Sequence, residues 1–258
     1  MVKKQRPTDS RIPIVAESDE WLVVDKPPFL EAHPSKPGGL PTLWDGLREL
    51  LAFELVNGGQ VSIINRLDRE TSGLTLIAKT REAARTLCRH MASRTVTKEY
   101  LCIVWGWPEQ DEWTVDASLL RLGSVEPFRI YLKQGVHPDG AKAVTHFRVE
   151  RRFQRETSNG CQFAIVRAIP ETGRTHQIRV HLSHCGHPIV GDKIYGPDDG
   201  CYLEFIETSW TDSLSQKLVL PRHALHASSL QINSLGLVWT CPLPRDLASF
   251  AANDGAGT

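Results

Sequence analysis

The run Asn65-Arg66-Leu67-Asp68-Arg69-Glu70-Thr71-Ser72-Gly73 sets one aspartate between two arginines in a polar turn, with apolar segments on both sides. Flanking guanidinium groups favour an ionised carboxylate. Thr71 and Ser72 can satisfy loop backbone groups, and Gly73 can take a conformation closed to other residues. Asp68 then projects from a rigid support at a sheet end, where a carboxylate can serve as nucleophile or base. The same residues also read as a structural Asp–Arg pair stabilising a turn, and spacing alone leaves both open. A second segment, Thr172-Gly173-Arg174-Thr175-His176-Gln177-Ile178-Arg179-Val180-His181, crowds polar groups onto an element whose Ile178, Val180 and Leu182 need partial burial. Such groups need partners, for example a carboxylate or phosphates.

Positioning these side chains falls to a chain in which apolar runs and turn signals alternate. Ile12–Ala16, Trp21–Val24, Val61–Ile64 and Gly73–Ala78 read as strands. So do Thr95–Trp105, Trp113–Leu120, Ala143–Val149, Cys161–Ile169, Leu225–Ile232 and Leu237–Cys241. Thr42 is placed to cap a helix carrying Leu43, Leu47, Leu50 and Leu51 on one side. Arg81–Ser93 and Thr175–Cys185 read as two further helices, the latter closed by Gly186 and Pro188. Strands dominate and helices come singly, which predicts an α+β fold on a largely antiparallel sheet with flanking helices. No composition shift marks a boundary, so one domain is expected over 12–250, between a flexible segment at 1–11 and a frayed tail at 251–258.

The 258 residues carry 30 Lys+Arg against 30 Asp+Glu, a net charge of zero, and hydrophobic and charged fractions ordinary for a globular protein exclude disordered and coiled-coil classes. With neither a membrane-spanning run nor a signal peptide, a soluble cytoplasmic protein is expected. Charge is unevenly spread: Lys79, Arg81, Arg85, Arg89, Arg94 and Lys98 face a single acid, Glu82. Arginines every four residues make one helical stripe, either a basic binding face or simply a solvated one. The six cysteines form no CxxC pair and read as reduced core thiols. The seven tryptophans read as core and rim packing. His176, His181, His184 and His187 cluster with Cys185, which suggests zinc in type, but no HExxH or CxxC accompanies them.

Taken together, these blocks resemble the RluA-type pseudouridine synthases. The family pattern H-R-L-D-x-x-T-S-G is matched from residue 65 with Asn in place of His. G-R-x-H-Q-I-R-x-H is matched from Gly173 and G-H-P-I-x-G-D-x-x-Y-G from Gly186, while Lys98-Glu99-Tyr100 resembles a K-x-Y strand. His33-Pro34 and Leu225-His226-Ala227 fit weaker positions, and the resemblance covers roughly residues 13 to 245. It implies the family fold with a central RNA-binding cleft, and an isomerase that converts a uridine of rRNA or tRNA to pseudouridine with no organic cofactor and no metal. It also implies that Asp68 starts the reaction, that Arg179 pairs with that aspartate, and that Tyr100 stacks on the flipped base. Arg66 then fills the vacated space, and Arg174, His176 and Gln177 bind substrate. Asn65 keeps a hydrogen-bonding side chain but loses the imidazole. With a first strand expected near residue 12, the small RNA-binding module that many members carry ahead of the catalytic domain is not expected within these residues. The rivals are a zinc protein, a catalytically silent RNA-binding or assembly protein, and an aspartyl phosphotransferase. The last fits poorly, because Asp68 has no second nearby acid for magnesium.

Overall fold

The computed structural model describes residues 12–34 and 39–252; the segment at 1–11 and the tail from 253 lie outside the described residues. Ile14–Glu17 (β1) and Trp21–Lys26 (β2) form an antiparallel pair. Thr42 caps Leu43–Leu50 (α1): its hydroxyl accepts the Asp45 N–H, and the Asp45 carboxylate accepts the Thr42 N–H. Leu43, Leu47 and Leu51, four apart, are buried. Leu50 faces solvent instead, because it lies about 100° around the helix from Leu51. Ala52–Val56 (α2), Ser62–Ile63 (β3) and Ser72–Ala78 (β4) follow, and every residue of β4 is buried. Thr80 caps Arg81–Ala92 (α3) by accepting the Ala83 N–H.

Val96–Trp105 (β5) is as expected, but the expected Trp113–Leu120 strand is two. Glu112–Asp116 (β6) joins the main strands, whereas Leu119–Arg121 (β7) changes partner to Gln134–Val136 (β8). Val144–Thr157 (β9) and Gly160–Pro170 (β10) make a long hairpin. β9 runs eight residues past its expected end, since Glu150–Thr157 buries only Phe153 and carries no apolar signal. After Gln177–His184 (α4) come Gly200–Thr208 (α5), Asp212–Leu218 (α6), Leu225–Ile232 (β11), Leu237–Thr240 (β12) and Arg245–Ala251 (α7). Ala251, assigned from sequence to the frayed tail, is buried at the end of α7.

The described residues fall into two compact units. The first comprises residues 12–98 and His226–Pro242. Its strand order is β1-β2-β4-β11, with β3 on β4 and β12 on β11, and β4 and β11 run parallel. Leu22 and Val24 pack on Leu43, Leu47 and Ile77, while Leu74, Leu76, Leu87, Leu230 and Trp239 form a second cluster. The other unit comprises Glu99–Leu225 and residues 243–252, with antiparallel order β5-β10-β9-β6 beside the β7–β8 pair. Ile103, Phe147, Phe163, Val166, Leu182 and Leu247 lie in its core. The chain crosses between units inside β5, at Lys98–Glu99, and inside β11, at Leu225–His226. No linker composition marks a boundary that falls within a strand. The fold is thus α+β on mixed, mostly antiparallel strands, as the sequence predicts. Tryptophans pack as expected: Trp21 meets Trp239 edge-on at 4.9 Å and Trp113 stacks on Phe147 at 5.1 Å. Cysteines differ in part, with Cys102, Cys201 and Cys241 buried but Cys88 and Cys185 exposed.

Candidate active site

Asp68 and Arg66 lie in the first unit, on the loop from β3 to β4, and buried polar side chains brace that loop. Asn65 donates from Nδ2 to the Leu74 carbonyl (3.0 Å) and accepts the Leu76 N–H at Oδ1 (2.8 Å). One donor and one acceptor facing a strand imitate a backbone residue, so Asn65 prolongs the β3–β4 ladder past Ile64, whose N–H meets the Leu76 carbonyl. An uncharged amide suffices for both bonds. Lys26 is fully buried, and its ammonium donates to the carbonyls of Pro27 (2.8 Å), Leu30 (3.0 Å) and Arg69 (3.3 Å). These acceptors offset the desolvation of the charge and tie the loop to the end of β2. Within the loop the Thr71 N–H donates to the Asp68 carbonyl.

On the far side, Ser72 Oγ lies 3.0 Å from His226 Nδ1, and His226 Nε2 lies 3.3 Å from the Cys241 carbonyl. A carbonyl only accepts, so Nε2 carries a hydrogen, and a neutral ring then accepts the Ser72 hydroxyl at Nδ1. Gly73 has φ +114°, and a Cβ there would meet the Ala227 carbonyl oxygen at 2.3 Å. The close parallel pairing of β4 with β11 therefore requires glycine. Asp68 stands half-buried on this support and Arg66 is exposed.

The other predicted residues belong to the second unit. Tyr100 sits half-buried on β5, paired with Ala168 of β10. Arg174 is exposed, with Nε donating to the Lys142 carbonyl. His176 precedes α4 at φ +56°, a left-handed conformation unusual for its type. Tyr195 Oη accepts the Gln134 N–H (2.9 Å) and lies 2.8 Å from His176 Nδ1.

Gln177 corrects the sequence expectation. Its Oε1 accepts from the Thr172 hydroxyl and the Arg174 N–H, and its Nε2 donates to the Val144 carbonyl and Thr145 Oγ1. All four amide positions are taken, so Gln177 braces the turn ahead of α4 and has nothing left for substrate.

Arg179 is buried and held bidentately by Asp192, Nε to Oδ2 at 2.7 Å and Nη2 to Oδ1 at 2.9 Å, with its guanidinium 5.0 Å from the centre of the Tyr195 ring. Asp192 Oδ1 also accepts the N–H groups of Ile194 and Tyr195, both at 3.0 Å. Burial opposes ionisation of Asp192, but the charge and hydrogen bonds of Arg179 outweigh it, helped by His223 and the Tyr195 N–H. They hold the carboxyl well below the usual carboxylate range. The histidines near α4 go to separate partners: His181 to Thr145 Oγ1 and the Ala117 carbonyl, His187 to the Trp105 carbonyl. Burial lowers the pKa of His181, which favours the neutral ring.

Sequence reasoning missed the grip of Asp192 on Arg179 and the anchoring by Lys26. The Lys26 signal was present, since Leu22, Val24 and Lys26 alternate onto one face of β2 and two of the three are core.

Residues 20–184 match the family model described as RNA pseudouridylate synthase. The chain belongs to that family. Ribosomal large subunit pseudouridine synthase D of Nitrosomonas europaea is 37% identical over 242 residues, which cover 92% of this chain and 63% of that protein. The protein of the same description from Pseudomonas aeruginosa is 37% identical over 243 residues, covering 92% of this chain and 70% of its own. Among solved structures, human RNA pseudouridylate synthase domain containing 1 superposes with a TM-score of 0.70 at 26% identity, over 95% of this chain and 89% of that one. The matched family span contains Arg66, Asp68, Tyr100, Arg174, His176, Gln177 and Arg179, while Asp192 lies beyond it. Among the described residues no helix is long and apolar enough to cross a membrane.

Proposed function

We propose that this chain isomerises a specific uridine of large-subunit ribosomal RNA to pseudouridine in the cytoplasm. In that reaction the bond from the sugar C1′ to uracil N1 breaks, the base turns, and C1′ bonds to C5. The C5 proton leaves, and N1 ends protonated. Asp68 supplies the ionised carboxylate that starts the exchange. Arg66, exposed two residues before it, fills the space left by the flipped nucleotide. Tyr100 stacks on the base and serves proton movement at C5, and Arg179 supplies positive charge from a position fixed by Asp192. Arg174 and His176 contact the RNA. The choice of ribosomal RNA follows the descriptions of the relatives named above.

The observation that carries this reading is the bracing of the Asp68 loop. Lys26, Asn65 and Ser72 are buried and all bond across to fix it, while Asp68 itself stays half-buried at its turn. A carboxylate needed only to hold a turn has no use for that support. The test is tritium release from RNA labelled at uridine C5, under single turnover, with Asp68→Asn beside the wild type. Loss of release with an unchanged melting temperature is expected. Release within about tenfold of wild type, a barrier change under roughly 1.4 kcal/mol, refutes the role of Asp68. Mapping pseudouridines in total RNA from cells with and without the gene then identifies the target.

A further inference from the structure

The outward face of α3 carries Arg81, Arg85 and Arg89 at steps of four residues, with Arg94 just beyond the helix end, and all four are exposed. Ala83 and Leu87 on the opposite side enter the core with Leu74, Leu76 and Leu230, so the orientation of the stripe is fixed by packing. Among the described residues none of these arginines makes an ion pair, whereas Arg148, Arg152, Arg179, Arg222, Lys79 and Lys217 each have a carboxylate. In a chain of 30 bases and 30 acids, four adjacent uncompensated arginines are a local imbalance.

The spacing of the stripe carries a cost of its own. Like charges four apart repel, and Arg81 sits at the positive end of the helix dipole, where Glu82 is the favoured charge, while the dipole favours Arg89 in the last turn. A helix that merely needed solubility would be better served by mixed charges. The three helical arginines span about 12 Å along the axis. That is the length over which a polyanion with regularly spaced charges can meet all of them, and a single small anion cannot.

We propose that this face of α3 is a docking surface for the phosphate backbone of the RNA substrate, separate from the residues assigned to chemistry. The proposal rests on the reading of the chain as an RNA-modifying enzyme. Contacts of this kind carry no sequence information; they add affinity and set the orientation of the RNA.

The signature of phosphate contacts is counterion release, so the test is the salt dependence of RNA binding. Each contact contributes about 0.7 (single strand) to 0.9 (duplex) to the slope of log affinity against log salt. Arg81→Gln/Arg85→Gln/Arg89→Gln should lower that slope by roughly 2 to 3. Between 50 and 200 mM salt the wild type should then lose about 20- to 40-fold more affinity than the variant. KM for tritium release should rise while kcat holds, and the melting temperature should stay level or rise as repulsion is relieved. Lysine at the same three positions should restore the slope. Arg148→Gln/Arg152→Gln/Lys217→Gln, which removes the same charge elsewhere, should leave it nearly unchanged. An identical slope in the α3 variant and the wild type overturns the proposal, as does an equal effect from the control triple. A wild-type enzyme that binds RNA but releases no tritium would instead refute the catalytic reading and leave the α3 result to stand by itself.

Discussion

Asp192→Asn tests whether the candidate site depends on a carboxylate outside the matched family span. Asp192 is completely buried and accepts four hydrogen bonds, two from the Arg179 guanidinium and two from the backbone of its own loop. Asparagine keeps the volume but replaces one acceptor with a donor and removes the charge opposing a buried cation. Breaking one side of a buried ion pair costs about 3–5 kcal/mol. For a chain of this size that corresponds to a fall of roughly 6–20 °C in melting temperature. Arg179→Met should cost a similar amount for the mirror-image reason. The double variant should be less damaged than the sum of the singles, with a coupling of at least about 1 kcal/mol by denaturant titration. The acid limb gives a second readout. The folded carboxyl sits well below its ordinary value, so in acid the unfolded chain takes up a proton that the native state refuses. Stability from this group is therefore fully present above about pH 4 and lost as pH falls below it. Wild type should lose stability faster than Asp192→Asn between about pH 4 and 2.5. Additive single-variant effects together with parallel acid limbs would refute the pairing.

Two further outcomes follow from the geometry of the individual residues. Tyr100→Phe should bind RNA nearly as the wild type does but slow tritium release by about 100- to 10,000-fold, whereas Tyr100→Ala should also weaken binding by roughly 1–3 kcal/mol; wild-type release by the Phe variant would reduce Tyr100 to a stacking surface. Gly73→Ala sets a Cβ against the backbone of Ala227 at a left-handed φ, so chemical denaturation should show a loss above about 3 kcal/mol, and a loss below about 1 kcal/mol would contradict the tight β4–β11 approach.

What the sequence disclosed and what it withheld divide along one physical line. Local signals were legible: the Thr42 cap, the Leu43/Leu47/Leu51 spacing, the α3 stripe and the glycine that admits β11 beside β4 all rest on residues within a few positions of one another or on a φ only glycine tolerates. The short helices α2, α5, α6 and α7 were not, because five to nine residues carry too little periodicity to stand out. At the candidate site the residue types were legible but their allocation was not. Gln177 looks like a ligand in sequence because a polar side chain between buried neighbours demands partners. Only the fold shows that Thr172, Arg174, Val144 and Thr145 use every one of its positions. Lys26 and Asp192 are the converse: Lys26 is an ordinary charged residue in sequence and Asp192 is a motif residue with no visible partner, and they become the anchors of Arg69 and Arg179 once separate segments meet. The polar residues of a site sort into those whose hydrogen bonds are already spent on the scaffold and those held in place with capacity left over. That sorting is a property of the assembled network, which no spacing along the chain encodes.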